Sequence, residues 1–341
     1  MAAPALRGTR AAPAHASFAS RIEQLSEPEG EFDTDNLISN EQAYLDVIPA
    51  LKAAGTSSGA YIGVGPDQNF SYIAALRPAI AFIVDLRRDN LLLHLLFKTL
   101  FAQARNRAEY LSLLTGRPVP DRVETWRDAS LEQIVAYIDR TKPVDQSVRA
   151  LHGRVDNALG RFGVPLSTGD RRTIARFHTA FIEAGLSLKF ETRGRAPRAF
   201  YPTYRELLLA RDADGRQWNY LASERDFQFV RSLEADDLIV PVVGDLSGPH
   251  AMTAIGAMMA ERGERLSAFY VSNVENYLFR DGRFSRFAEN VQRLPRDRRS
   301  MIIRSIFGGA SSMSAVQSTD EMLANFSSGR YRSYRDLVGS R

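Results

Sequence analysis

The stretch Tyr61-Ile62-Gly63-Val64-Gly65-Pro66-Asp67-Gln68-Asn69-Phe70 decides how the rest of the chain is read. An apolar run enters two glycines and leaves into a helical pattern, and a second apolar run, Ala81-Phe82-Ile83-Val84-Asp85, ends in a carboxylate. A strand, a glycine turn and a second strand with a terminal acid suit a nucleotide or nucleoside. The glycines let backbone approach the ligand closely, and an acid one strand over can accept the ribose hydroxyls.

Working outward, the run over 80–84 is apolar on both faces, as a parallel strand between helix layers should be. A short helix over 70–76 joins the two strands. Upstream, Ser39 and Gln42 fit a capping box, Tyr44, Leu45, Ile48 and Leu51 recur at helical spacing, and Gly55 supplies a stop. Ordered structure is expected from about Ile38, with Pro49 kinking this helix. Downstream, Asp89 to Leu114 reads as one long helix, core or oligomer face, closed by Gly116, Pro118 and Pro120.

From 121 to 235 the apolar spacing is helical, with candidates at 130–140, 146–160, 168–186, 202–210 and 223–233 and a single strand candidate at 186–192. Strand character returns at 238–243, ending in Gly244-Asp245, at 267–271, ending in Ser272-Asn273, and at 300–307. Helices at 249–261 and 283–293 fit between them. The expected fold class is α/β, a mostly parallel sheet flanked by helices with a large helical insertion between strands 2 and 3. The expected organisation is a disordered lead over 1–36, the first part of the sheet domain over 37–120, a helical cap over 121–235, the second part over 236–309, and a tail over 310–341. No further strand is expected after 309.

Composition narrows the function classes. The chain has 341 residues, with 44 Lys and Arg against 40 Asp and Glu for a net charge of +4, so nucleic-acid binding is not implied. Cysteine is absent, which removes disulfides, thiolate metal sites and a cysteine nucleophile. The histidines at 15, 94, 152, 178 and 250 show no metal-ligand spacing. No run approaches membrane-spanning length, and a cytoplasmic protein is expected.

The pattern resembles the class I methyltransferases that use S-adenosylmethionine. That resemblance implies a Rossmann-like fold, with Gly63 and Gly65 as the cofactor loop, Asp85 as the ribose acid, Asp245 as the adenine-side acid and Ser272-Asn273-Val274-Glu275-Asn276-Tyr277 as the motif facing the methyl group. The stretches around Ile38-Ser39-Asn40-Glu41 and Arg87-Arg88-Asp89-Asn90, together with the glycine loop, are also similar to a bacterial family described as methyltransferase-like, over about 36 to 309. Two positions depart from the pattern. Tyr61 stands where the family commonly has an acid that helps hold the methionine end, and Asp67 stands where it has a third glycine. Asp67 or Glu41 would be the substitutes for that acid.

Each candidate also has a structural reading. Asp85 either binds ribose or caps the following helix. Asp245 either faces adenine or forms a turn. His250 is a base toward an acceptor or the start of a helix, and Asn273, Glu275 and Tyr277 face a substrate or form a polar loop. Arg87, Arg88, Arg105 and Arg107 suit an anionic substrate or salt bridges. Two functions follow: methyl transfer to an unspecified acceptor, in which the protein mainly aligns an already activated methyl group, or a binding or regulatory protein that keeps the fold without transferring a methyl group. A nicotinamide-dependent oxidoreductase fits less well, since Gln68 occupies the position of the third fingerprint glycine.

Overall fold

The computed structural model describes residues 17–192, 197–308 and 311–339. Its centre is a six-stranded sheet in the order β3-β2-β1-β4-β5-β6, flanked by helices. The strands are β1 Ala60–Gly63, β2 Ile80–Asp85, β3 Ile239–Val243, β4 Leu266–Ser272, β5 Arg296–Gly308 and β6 Ser311–Ser318. Strands β1 to β5 run parallel, with Ile62 in register with Phe82 on one side and Phe269 on the other, and β6 runs antiparallel to β5. The four strands β1 to β4 are buried almost throughout. Helices on the faces require apolar side chains in both directions, which is why these segments read as continuous apolar runs.

Strand β6 corrects the expectation that nothing extended follows 309. It pairs along most of its length with β5, Val316 opposite Ile303, yet it is an edge strand of mostly small polar residues with Met313 exposed. An edge covered on one side needs little apolar content, so its sequence carries no strand pattern. The expected boundary between 309 and 310 lies outside the described residues.

The N-terminal expectation also changes. Residues 1–16 lie outside the described residues, but 17–36 are structured. A helix over Phe18–Leu25, capped by Ser17, buries Phe18, Ile22 and Leu25 on one stripe against β3 and the helix Ala251–Glu261. Residues 26–36 then pass over the carboxyl ends of β2 and β3 as a strap: Glu27 N–H donates to Val243 O at 2.9 Å and Gly30 N–H to Leu86 O at 2.9 Å.

Other departures are local. The helix expected to start at the Ser39 cap and stop at Gly55 is confined to Ile48–Ala53, with Pro49 in its first turn, where a missing N–H breaks no helical bond and no kink results. Ser39 Oγ accepts from Glu41 N–H at 3.1 Å instead of closing a capping box. The long helix is two, Arg88–Gln103 and Arg107–Leu114, because Asn106 caps the second by accepting from Glu109 N–H at 3.0 Å. The segment 186–192 makes only isolated bridges.

Between β2 and β3 the chain is helical, and Asp145–Leu159, Thr168–Ala184 and Glu224–Ala235 pack on Arg88–Gln103. That explains the latter's burial from Asn90 to Phe101. Among the described residues no helix is long and apolar enough to cross a membrane.

Candidate functional site

Chain order along the sheet reverses between β1 and β4, and in open α/β sheets that place, at the carboxyl ends of the strands, is where a crevice opens. A cavity of about 320 Å³ lies there. Its walls include Gly65 after β1, Asp85 closing β2, Asp245 after β3, and Asn273 and Tyr277 after β4. Phe32 from the strap meets Tyr277 edge to face, with ring centroids 5.3 Å apart. The cap expected from 121–235 contributes little. Among the described residues Phe190 is its sole lining side chain, and the N-terminal strap supplies the cover instead.

The glycine loop is braced from beneath. Asn69 Nδ2 donates to Val64 O at 2.9 Å and to Pro66 O at 2.7 Å, and His94 Nε2 lies 2.9 Å from Gly65 O. Burial lowers the His94 pKa to about 4, so at neutral pH the ring is uncharged and donates to that carbonyl. Gly65 has φ +82° and lines the cavity. Gly63 serves packing: a Cβ there would sit 2.7 Å from the Tyr61 hydroxyl and 1.9 Å from Asn69 Oδ1, which accepts from that hydroxyl at 2.8 Å. Tyr61 is thus a floor residue.

Asp67 is directed away from the cavity. It is buried, accepts from the Tyr204 hydroxyl at 2.7 Å, and burial raises its pKa to about 6. Asp67 directly precedes the helix Gln68–Leu76, and its hydroxyl partners Tyr204 and Tyr220 both come from the segment between β2 and β3.

Asp85 lines the cavity but is engaged. One oxygen accepts from Arg87 N–H and Nε, each at 3.0 Å, and the other from Nη2 at 2.8 Å. The same guanidinium donates through Nη1 to Thr34 O on the strap. Asp245 lines the cavity and forms a turn, accepting from Ser247 N–H and Oγ, each at 2.8 Å, and from Arg283.

His250 and Glu275 are not brought to the cavity. The His250 ring reaches Gln24 O at 2.9 Å, on the far side of its helix start. Glu275 is buried in a bidentate pair with Arg304, at 2.7 and 3.1 Å. Arg88, Arg105 and Arg107 pair with Asp170, Glu109 and Glu224 respectively, so the salt-bridge reading fits them.

One residue with little sequence signal braces the cavity wall, and two that the sequence singled out are held at it. Glu27 accepts from Asp245 N–H at 2.6 Å and from His250 and Ala251 N–H, each at 3.3 Å, capping the helix Ala251–Glu261. Ser272 ends β4 with φ +52°, a conformation uncommon outside glycine, and its hydroxyl donates to Glu41. Glu41 also accepts from Tyr270 and Ser305, and burial raises its pKa.

An open, mostly parallel α/β sheet with a ligand-sized cleft at its carboxyl edge is the class this geometry defines. The chain belongs to the family described as a domain of unknown function, DUF7790, whose model matches residues 37–157 and 175–335. The matched residues include the glycine loop, Asp85, Asp245 and the end of β4; the strap before 37 is outside them. No curated protein matches the chain.

Proposed function

We propose that the chain is a Rossmann-like protein of the class I methyltransferase type that binds S-adenosylmethionine in the cavity at the β1–β4 junction. The observation that carries the reading is the coincidence of the order β3-β2-β1-β4-β5, a loop with a positive-φ glycine, and acids ending β2 and following β3, all bordering one cavity. Its volume, near 320 Å³, is within the range of small-molecule sites, about 300–1,000 Å³. Asp85 would hold the ribose hydroxyls after exchanging Arg87 for them, Leu246 and Leu278 offer apolar walls for a base, and Asn273 and Tyr277 border the acceptor side. The cofactor, when bound, supplies a methyl group already activated on sulfur, so the protein's part is alignment and exclusion of water.

A second reading is favoured by specific geometry. His250 faces Gln24, Glu275 faces Arg304, and Asp85 is paired within the chain, which suits a protein that binds the cofactor without transferring its methyl group. Titration calorimetry with S-adenosylmethionine and its demethylated product tests both. Saturable binding with one site per chain is expected; absence of heat with either compound overturns the cofactor assignment. Binding with no turnover over a panel of small-molecule, lipid-headgroup and protein acceptors selects the second reading.

A further inference from the structure

His152 and His178 meet where three helices of the segment between β2 and β3 come together. His152 lies on Asp145–Leu159 and His178 on Thr168–Ala184, with ring centroids 5.1 Å apart and planes at 62°. His178 is fully buried and His152 half-buried. His178 Nε2 lies 3.0 Å from the Leu113 carbonyl, on the helix Arg107–Leu114. A carbonyl only accepts, so Nε2 carries the ring proton and Nδ1 of the neutral ring keeps a bare lone pair. Burial lowers the His178 pKa to about 4, so the ring is uncharged at neutral pH.

Each ring keeps a buried nitrogen that the fold does not answer. His178 Nδ1 and His152 Nε2 have no hydrogen-bond partner among the described residues. Such atoms destabilise a fold unless something completes them. His94 also has an unpartnered Nδ1, but its ring neighbours are Phe70 and Phe97, which offer no second ligand. At His178 the second ligand is in place. With metal–nitrogen distances of about 2.1 Å, two imidazoles sharing one tetrahedral ion have their centroids about 5 Å apart. The Leu113 carbonyl supplies the outer hydrogen bond that fixes tautomer and orientation in a ligating histidine.

We propose that His178 Nδ1 and His152 Nε2 bind one divalent transition-metal ion of the copper or zinc class, which ties Asp145–Leu159 to Thr168–Ala184. Asp156, one turn along from His152, is paired with Arg171, and no third His, Asp or Glu joins the two histidines among the described residues. Water on the open side of His152 therefore completes the shell. The ligands stand on separate helices, which is why the chain shows no ligand spacing. The site is outside the cavity at the β1–β4 junction and independent of the cofactor reading.

The test uses the full chain without an affinity tag. Titration calorimetry with zinc chloride should show one saturable site per chain, and Cu2+ should bind more tightly than Zn2+. The electron paramagnetic resonance spectrum of the Cu2+ form should carry the splitting of two nitrogen ligands. His152→Gln should weaken Zn2+ binding at least about tenfold and abolish the rise in melting temperature that Zn2+ gives the wild type. His15→Gln and His250→Gln should leave both unchanged. Absence of saturable heat in the wild type overturns the site, as does wild-type affinity in His152→Gln. If His152→Gln loses its cooperative melt, the wild-type Cu2+ spectrum decides: one nitrogen or none overturns the proposal.

Discussion

At the scale of single residues, the acids of this chain differ chiefly in what answers them. Asp85 holds a guanidinium that is 6% exposed, so Asp85→Ala leaves a buried cation with a carbonyl partner only. Removing one member of a buried pair should lower stability by about 3 kcal/mol, seen as a reduced urea midpoint, and adding Arg87→Met should recover most of it. A loss of ligand affinity in Asp85→Ala is therefore to be compared with that double variant. Asp67 makes the opposite case. Burial takes it from an ordinary 3.8 to about 6, so the folded chain keeps a proton that the unfolded chain has released. Its contribution to stability falls as pH rises from about 3.8 to 6, and above that window the full penalty, about 2–3 kcal/mol, is present. Asp67→Asn should remove this slope: the stability difference between variant and wild type, measured by urea unfolding, should grow in favour of the variant across the window. A difference independent of pH would contradict the assignment.

At the scale of elements, the N-terminal helix and strap behave as part of the sheet domain. Leu25 is fully buried against the β3 side, and Leu25→Ala should destabilise by about 3 kcal/mol through lost transfer energy and the cavity left behind, measurable by chemical denaturation. A ΔΔG below about 1 kcal/mol would mean the helix is only loosely attached. The residues responsible were visible at helical spacing, Phe18, Ile22 and Leu25, but the Ala- and Pro-rich stretch before them masks the pattern. Strands β1 to β4 were legible because burial on both faces demands unbroken apolar runs. Strand β6 was not, since an edge strand with serine at four of its eight positions is specified by its partner β5 and not by its own composition. The break at Asn106 was hidden for a related reason: the apolar spacing continues across it, and only a side-chain cap ends one helix and begins the next.

At the scale of the whole molecule, the mostly parallel sheet was readable and the division of labour at the site was not. Glycine, acid and polar loop fall at strand ends as their spacing requires, and the parallel order gathers Gly65, Asp85, Asp245, Asn273 and Tyr277 around one cavity. Sequence distance along a strand reports which edge a residue reaches. It does not report which way the chain turns beyond that edge, so Asp67, His250 and Glu275 left the group while Phe32 joined it from a segment far away in sequence.

The guanidinium of Arg87 joins two things that sequence keeps apart, the carboxylate ending β2 and the Thr34 carbonyl of the strap. On the proposed reading, a ligand hydroxyl that takes Asp85 would compete with that guanidinium and so loosen the strap's anchorage. Linkage makes the effect mutual: whatever factor by which ligand weakens the anchorage is the factor by which anchorage weakens ligand. On that reading the strap and the ligand would be two occupants negotiating through one arginine, and affinity at the cleft would depend on the strap as much as on the glycine loop.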